Sequence, residues 1–224
     1  MIPASPAIAV LHREFLRLLR RRGQLVQPLV FFSLVAILFP FALGSQLELA
    51  QRAGAGAVWI AVLLATTLSL EEIFRSDFDD GTLEQFVVML GALPLGCAMK
   101  ALAHWLTSLV PLIAMATMMG FVYDLPSRAH ATLVSTLLLG TPVFSLVGTV
   151  ASALTVGVRG GALLLALIIL PLYIPVLIFG ASAVHNAALG LSTTGEHYFL
   201  AGLAVLAMTL APFATAASLR ARLS

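Results

Sequence analysis

A chain of 224 residues that is 60% hydrophobic and only 10% charged lies outside the composition range of soluble domains. Its mean hydropathy of +1.05 predicts an integral membrane protein, and its length holds about six spanning helices without room for a large extramembrane domain. Twelve basic against ten acidic residues leave a net charge of +2, which we attribute to membrane topology and not to nucleic-acid binding.

The first predicted element is an amphipathic helix over residues 7–22. Apolar side chains recur along one side of it, and arginines recur along another. The apolar side comprises Ile8, Leu11, Phe15, Leu18 and Leu19, and the basic side comprises Arg13, Arg17 and Arg20. Such a helix lies in the membrane interface with its arginines near anionic head groups, so we interpret it as an anchor and not as an active part.

Six apolar blocks follow, each bounded by charged residues or by Gly, Pro and Asn. Backbone polar groups in lipid must be bonded within their own segment, and alternating strand patterns do not occur in these blocks, so we expect helices and not barrel strands. The predicted fold is therefore an all-α integral membrane protein with one transmembrane domain over residues 1–224. Its six spans are expected at about residues 25–44, 54–70, 98–122, 131–157, 162–184 and 197–217.

The distribution of Arg and Lys predicts the orientation of these spans. With the N-terminus in the cytoplasm, ten cations collect on the inner side and only Arg52 and Arg128 remain outside. The inner set comprises Arg13, Arg17, Arg20, Arg21, Arg22, Arg75, Lys100, Arg159, Arg220 and Arg222. Both termini are therefore expected on the cytoplasmic side.

The segment between the second and third spans is strongly acidic. Residues 71–84 read EEIFRSDFDDGTLE and contain six of the ten carboxylates in the chain. At about 3 kcal/mol for each carboxylate at mid-bilayer, these six would cost close to ~20 kcal/mol in lipid. We therefore expect residues 71–94 to form a cytoplasmic segment that is either hydrated or docked against another protein.

The second half of this segment has a helical pattern. Thr82 and Gln85 have the spacing of a capping box, Gly81 supplies a flexible entry, and Gly91 and Pro94 would end the helix. One face of that helix is apolar and comprises Leu83, Phe86, Val87 and Leu90. The pattern alone leaves two interpretations open, a solvated turn before the next span or a helix whose apolar face enters the groove of another protein.

His104 lies within the third predicted span, where an ionisable side chain is a candidate functional group. Histidine is a common axial ligand of heme iron, so His104 is a candidate heme ligand. The alternative, which we favour, is a neutral histidine that is hydrogen-bonded to a neighbouring helix. Only two tryptophans, Trp59 and Trp105, occur in the chain, so no tryptophan-rich heme platform is predicted.

Pro171 and Pro175 lie four residues apart in the fifth predicted span. Each removes a backbone donor and disturbs the carbonyl four residues earlier, so the helix is expected to kink or open near Tyr173. A packing kink and a moving gate are both consistent with this pattern.

Enzymatic motifs do not occur in the sequence. Lys100 is the only lysine, and no G-x-x-x-x-G-K-[ST] loop surrounds it, so we expect no ATP site on this chain. G-x-S-x-G, H-E-x-x-H and C-x-x-C are also absent, so we expect neither an intramembrane enzyme nor a metal site. The chain is therefore predicted to be non-catalytic.

Seven stretches of the sequence resemble one family of membrane proteins. They are QPLVFFSLVAILFPFALG at 27–44, FRSDFDDGTLEQ at 74–85, KALAHWL at 100–106, LLLGTPVFSLVG at 137–148, ALTVGVRGGALL at 153–164, LPLYIPVLIFGA at 170–181 and LAPFATAASLR at 210–220. In content and order they resemble the CcmB family, the ABC-2-type permease subunits of bacterial cytochrome c maturation. The chain departs from the family pattern in having Gln27 where Asn or a similar polar residue is expected, and in the stretch MLGALPLG at 89–96.

The resemblance implies a coupling helix that docks on a separate ATPase subunit. The residues implied in coupling are Arg75, Asp77, Phe78, Asp79, Asp80, Gly81, Thr82, Leu83, Glu84, Gln85, Phe86, Val87 and Leu90. The implied partners are the ATPase CcmA, the subunits CcmC and CcmD, the heme chaperone CcmE and a second copy of the chain. ATP would bind the ATPase and heme the partner subunits, with no cofactor on this chain.

The function implied by the resemblance is that of a permease subunit in the bacterial inner membrane. It would couple ATP hydrolysis on the partner to heme delivery or to release of the heme chaperone. Two other functions stay open at this point, an ABC-2-type permease that exports another lipid or hydrophobic substrate, and a stand-alone heme-binding membrane protein.

Overall fold

The computed structural model describes residues 22–43, 47–89 and 92–223. The predicted interfacial helix over residues 7–22 lies outside these ranges except for its last residue, and Leu90 lies outside them as well. Within the described ranges every regular element is helical.

Nine α-helices and one π-helical turn make up the described chain. The helices are α1 (Arg22–Leu43), α2 (Leu47–Leu70), α3 (Glu72–Asp79), α4 (Leu83–Met89), α5 (Leu93–His104), α6 (Val110–Val122), α7 (Ser127–Thr155), α8 (Gly161–Ala188) and α9 (Thr194–Leu223), and the π-helical turn is Trp105–Leu109 between α5 and α6. We refer to residues 71–89, which comprise α3, α4 and the turn between them, as the elbow.

Within the described residues, six helical segments are long and apolar enough to cross a membrane, which confirms the predicted all-α membrane fold. They are Leu25–Ala42, Ala53–Asp79, Leu93–Val122, Ser127–Thr155, Gly161–Ala188 and Thr194–Arg222. The second span continues through Glu71 into α3, and the third begins at Leu93 and not near residue 98. The helices exceed the predicted spans because protein packing supports them beyond the apolar runs.

The interior of the bundle is organised around Trp59 on α2, which is completely buried. Its ring stacks edge to face with Phe144, with 6.1 Å between the ring centroids. It also occupies the space where Gly140 on α7 and Gly180 on α8 lack side chains, since a Cβ at Gly140 would lie 2.7 Å from the indole. Small residues at these two positions therefore allow three helices to approach closely.

The proline pair of α8 does not interrupt the helix, which is continuous from Gly161 to Ala188. Pro171 is exposed, whereas Tyr173 is fully buried against α7. The Tyr173 hydroxyl donates a hydrogen bond of 2.5 Å to the backbone oxygen of Phe144. The helix is therefore not open near Tyr173 in this structure, where the tyrosine bonds to α7, and a kink at this position stays a prediction. A gate at this position stays a prediction.

The elbow, the α7–α8 loop and the C-terminal end of α9 lie at the same end of the bundle. Phe74 of the elbow shares a hydrophobic cluster with Val156 and Leu219, and Gly157 lies beside both Phe78 and Arg222. Among the cations whose side chains the structure describes, Arg75, Lys100, Arg159, Arg220 and Arg222 are at this elbow end, and Arg128 is at the start of α7, at the opposite end.

Candidate functional site

The elbow begins where α2 ends and is shaped by local backbone geometry. Gly81 has a φ of +68°, a left-handed conformation that glycine adopts without steric cost. The Gly81 N–H donates to the Phe78 oxygen at 3.1 Å, and the Thr82 N–H donates to the Asp77 oxygen at 2.9 Å. These two bonds form a Schellman motif that ends α3 and turns the chain into α4. Gly81 therefore fixes the turn, where the sequence indicated only a flexible entry.

The apolar face of α4 points into the protein. Leu83 is 2% exposed and Phe86 is 5% exposed, and Val87 packs against the same cluster. The cluster comprises Phe74, Leu83, Phe86, Leu93, Cys97, Ala153, Val156, Ala216 and Leu219. The prediction that this face enters another protein is therefore corrected, because helices α5, α7 and α9 of the same chain cover it.

A buried ion pair lies directly behind the elbow. Lys100 on α5 and Asp77 on α3 are 2% and 1% exposed, and 2.5 Å separates Lys100 Nζ from Asp77 Oδ2. Lys100 is one of the predicted cytoplasmic cations, but its side chain lies among apolar residues and not in water. Removal of either partner would leave the other charge buried without its counter-ion, which strongly destabilises a protein.

Thr82 adds a second contact to the same carboxylate. Its hydroxyl lies 3.2 Å from the other carboxylate oxygen of Asp77, Oδ1, and donates to it. The predicted capping box with Gln85 did not include this interaction. Asp77 therefore accepts hydrogen bonds from both the turn of the elbow and α5, which fixes the elbow on the membrane helices.

The opposite side of the elbow faces outward. Its exposed residues are Arg75, Phe78, Asp79, Asp80, Gly81, Glu84, Gln85 and Val88. Val88 is the most exposed of the apolar ones at 83%, compared with 42% for Phe78. Val88 is not among the predicted coupling residues, although its position four residues after Glu84 places it on the same helix face as that charged residue.

A groove of about 460 Å³ separates α3 from the α7–α8 loop. Arg75, Phe78 and Asp79 line one side, and Gly157 and Arg159 contribute to the other. Arg75 forms ion pairs along its own helix, with Glu71 at 2.5 Å and Asp79 at 3.9 Å. The groove therefore extends the outward surface of the elbow toward a second loop.

His104 lies one turn beyond Lys100 on α5 and is 3% exposed. Its Nε2 is 2.8 Å from the Ser69 hydroxyl on α2, and its Nδ1 is 2.9 Å from the Ser145 hydroxyl on α7. Both ring nitrogens therefore face hydrogen-bonding partners on neighbouring helices. This geometry disfavours His104 as a heme ligand, because an axial bond would require one of the two serine contacts to break.

The residues after His104 leave the regular α-helix. The Val110 N–H bonds to the Trp105 oxygen, five residues earlier, and the Trp105 indole donates to the Thr141 hydroxyl at 3.0 Å. Pro111 lies two residues after the end of this π-helical turn and has no N–H with which to close an ordinary turn on Thr107. Widened turns of this kind are frequent at functional positions.

The elbow has two different sides. Its outward surface carries charged residues together with Phe78, Gln85 and Val88, and its inward surface shares a hydrophobic cluster with residues of α5, α7 and α9. An exposed surface on a segment that is fixed to the bundle can serve as a contact for another protein.

Comparison with known proteins places this geometry in context. The sequence matches the CcmB protein family over residues 6–222. It is 50% identical over 211 residues to heme exporter protein B of Pseudomonas aeruginosa, covering 94% of this chain and 95% of that protein. It is 42% identical over 213 residues to heme exporter protein B of Haemophilus influenzae, covering 95% and 96%. The protein of that name in Escherichia coli K12 is 38% identical over 201 residues, covering 90% and 91%.

Proposed function

The chain belongs to the CcmB family, and we infer from this membership that it is the membrane subunit of a heme exporter ABC system that serves cytochrome c biogenesis. The observation that carries this conclusion is similarity to heme exporter protein B along almost the whole chain, at 50% identity over 211 residues. The six spans of the described structure fit a multi-pass transporter component.

The outward surface of the elbow is the proposed contact with the ATPase subunit. Its core consists of Phe78, Asp79, Glu84, Gln85 and Val88, all exposed. The inward-facing side chains have a supporting role, because Leu83, Phe86 and Asp77 hold the elbow on the membrane helices. Force from nucleotide-driven closure of the partner would thus enter a segment that is already fixed to the bundle.

The chemistry of the system resides on other subunits in this proposal. ATP hydrolysis belongs to a separate ATPase of the CcmA type, because the sequence contains no phosphate-binding loop. Heme, as the cargo, is handled by partners of the CcmC, CcmD and CcmE types. This chain is a non-catalytic subunit, and a second copy of it would complete the permease.

The proposed location is the bacterial inner membrane with both termini in the cytoplasm. Five of the six cations whose side chains the structure describes lie at the elbow end, which supports a cytoplasmic elbow by the positive-inside rule. The ATPase substrate is also cytoplasmic, so the elbow and the ATPase would meet on the same side of the membrane.

The docking proposal is tested with a substitution that leaves the interior unchanged. Val88→Asp places a charge on the outward surface, and Leu191→Asp is the matched control in the α8–α9 loop at the opposite end, where Leu191 is 58% exposed. We expect Val88→Asp to reduce copurification of the ATPase and the amount of c-type cytochromes, with both unchanged in Leu191→Asp.

The outcome that contradicts docking at the elbow is normal ATPase copurification in Val88→Asp together with normal cytochrome c maturation. Deletion of the chain separately tests the assigned pathway. Loss of c-type cytochromes with normal lipid and polysaccharide export supports the heme exporter system, whereas a defect in lipid export alone contradicts it.

A further inference from the structure

Lys100 contacts both short helices of the elbow at once. Its ammonium group pairs with Asp77 on α3 and donates to the Ile73 oxygen at 3.3 Å. The same group lies 5.2 Å from the ring centroid of Phe74 on α3 and 5.4 Å from that of Phe86 on α4. One side chain of α5 therefore holds the two halves of the elbow together through ionic, hydrogen-bond and cation–π contacts.

The helix that carries Lys100 is connected to the centre of the bundle within one further turn. His104, four residues later, contacts Ser69 on α2 and Ser145 on α7. The Ser145 hydroxyl also donates to the Ala101 oxygen on α5 at 2.7 Å. Lys100 and His104 share one face of the helix because they are four residues apart. This face thus joins the elbow at one end to α2 and α7 at the other.

We propose that the buried Lys100–Asp77 pair is a joint that makes the elbow and α5 move as one body, so that displacement of the elbow reaches the π-helical turn at Trp105–Leu109. The source of that displacement, a docked ATPase, rests on the function proposed above. The joint itself rests on the contacts of Lys100 and Asp77.

Burial explains why this pair can transmit displacement. The two side chains are 2% and 1% exposed, so separating them would remove each charge from its counter-ion in a largely apolar interior. The Arg75–Glu71 pair on the outside of the elbow is 56% and 36% exposed, and water can replace either partner there. The elbow can therefore exchange its outer ion pairs while its attachment to α5 stays intact.

The π-helical turn is the element that would respond. It follows His104 directly, and α6 continues from it to Val122 without interruption. A widened turn has a hydrogen-bond register different from that of the flanking α-helices, so it can absorb or release a displacement by changing register. Lys100 and Asp77 would thus be positioning residues for a movement in the middle of the third span.

The test measures movement at both ends of α5 in the full chain bound to its ATPase subunit in lipid nanodiscs. Spin labels are placed at Ser76 on the elbow, which lies outside the proposed contact with the ATPase, and, separately, at Leu106 in the π-helical turn, each paired with a reference label at Leu167 on α8. A Cys97→Ala background removes the native thiol. Distances are recorded with and without ATP under vanadate trapping, in the wild type, Lys100→Met and Asp77→Asn.

We expect ATP to shift both distances in the wild type. In Lys100→Met and Asp77→Asn the shift at Ser76 persists, most of the shift at Leu106 is lost, and the ATPase still copurifies. The charge-exchanged double variant Asp77→Lys/Lys100→Asp recovers part of the shift at Leu106. Arg128→Met, an exposed cation at the other end of the bundle, is the control and retains both shifts.

Two outcomes overturn the joint. One is an unchanged Leu106 shift in Lys100→Met, and the other is loss of both shifts while the ATPase remains bound, which indicates a general structural role. If Lys100→Met does not insert, the double variant Lys100→Met/Asp77→Leu, which removes both partners and leaves no buried charge, takes its place under the same criteria.

Failure of the proposed function has a separate signature, since the wild-type chain would then not retain the ATPase at all. In that case amide hydrogen exchange, measured on the chain without a partner, tests the joint between Lys100 and Asp77. The joint predicts that Lys100→Met accelerates amide exchange by about tenfold in both the elbow and α5. Acceleration in only one of the two overturns it.

Discussion

The indole of Trp59 on α2 occupies the space beside Gly180 on α8, where any larger residue would collide with it. The same ring contacts Gly140 on α7, so one tryptophan sets the spacing of three spans. Because Trp59 is completely buried in a closely packed interior, a larger residue at either glycine would overpack it.

Gly180→Ala is therefore expected to lower the free energy of unfolding by about 1–3 kcal/mol, through overpacking against Trp59. Thermal unfolding of the purified chain in detergent measures the effect. Gly202→Ala on α9 is the matched control, because nothing lies within 4 Å of a Cβ at that position. Equal stability of the two variants would contradict this account of the interior.

Tyr173→Phe is expected to destabilise the chain by about 1 kcal/mol, because it removes the hydroxyl that bonds to the Phe144 oxygen and leaves the ring in place. Tyr198→Phe, at a tyrosine that is 76% exposed, should have no measurable effect. Higher transport activity in Tyr173→Phe with unchanged stability would support a moving gate over a fixed packing contact.

Removal of one partner of the buried ion pair should cost more than removal of both. Lys100→Met is expected to lower the free energy of unfolding by about 3–5 kcal/mol, since it leaves the Asp77 carboxylate buried without its cation. The double variant Lys100→Met/Asp77→Leu should recover most of that loss. A double-mutant cycle measures the coupling, and strictly additive effects would argue against an interacting pair.

The exposed Arg75–Glu71 pair of the elbow is the comparison for the Lys100–Asp77 double-mutant cycle. Arg75→Met should change stability by no more than about 1 kcal/mol, because Arg75 and Glu71 are both accessible to water. A loss as large as that of Lys100→Met would mean that burial does not distinguish the two pairs.

His104→Ala is expected to leave the heme content of the purified chain unchanged, because both ring nitrogens already face serine hydroxyls. The absorbance spectrum of wild type and variant, recorded after incubation with heme, measures this. A Soret band that is present in the wild type and disappears in His104→Ala, while Ser145→Ala retains it, would identify His104 as a heme ligand.

Gly157→Ala should weaken binding of the ATPase subunit. Gly157 has a φ of +69°, and a Cβ there would lie 2.5 Å from Cζ of Phe78, so the ring would have to leave its place at the groove. Gly160→Ala has the same kind of backbone strain, with a φ of +77°, but meets nothing within 4 Å. Both variants should lose about 1–2 kcal/mol of stability from the left-handed backbone, and only Gly157→Ala should lower ATPase copurification.

The sequence was sufficient for features that depend on solvation alone. Long apolar blocks must cross the membrane, and six carboxylates within residues 71–84 cannot lie in lipid, so the six spans and the position of the elbow could be predicted without a structure. The start of the third span could not be predicted in this way, because residues 93–95 carry no charge that marks the boundary.

The details of the elbow could not be predicted because they depend on tertiary contacts. Periodicity placed Leu83 and Phe86 on one face, but it did not say whether this chain or another would cover that face. It also gave no partner for Lys100, which lies 23 residues from Asp77. The π-helical turn had one signal, Pro111, whose missing N–H disturbs the regular hydrogen-bond register.

Burial of Lys100 gives the chain an intrinsic chemical reporter. Lys100 carries the only side-chain amine in the sequence, and 2% exposure shields it from reagents in solution. An acylating reagent can therefore modify this amine only in molecules whose elbow has detached from α5. The rate of acylation at that position, followed by mass spectrometry, would count those molecules directly in native membranes without any engineered probe.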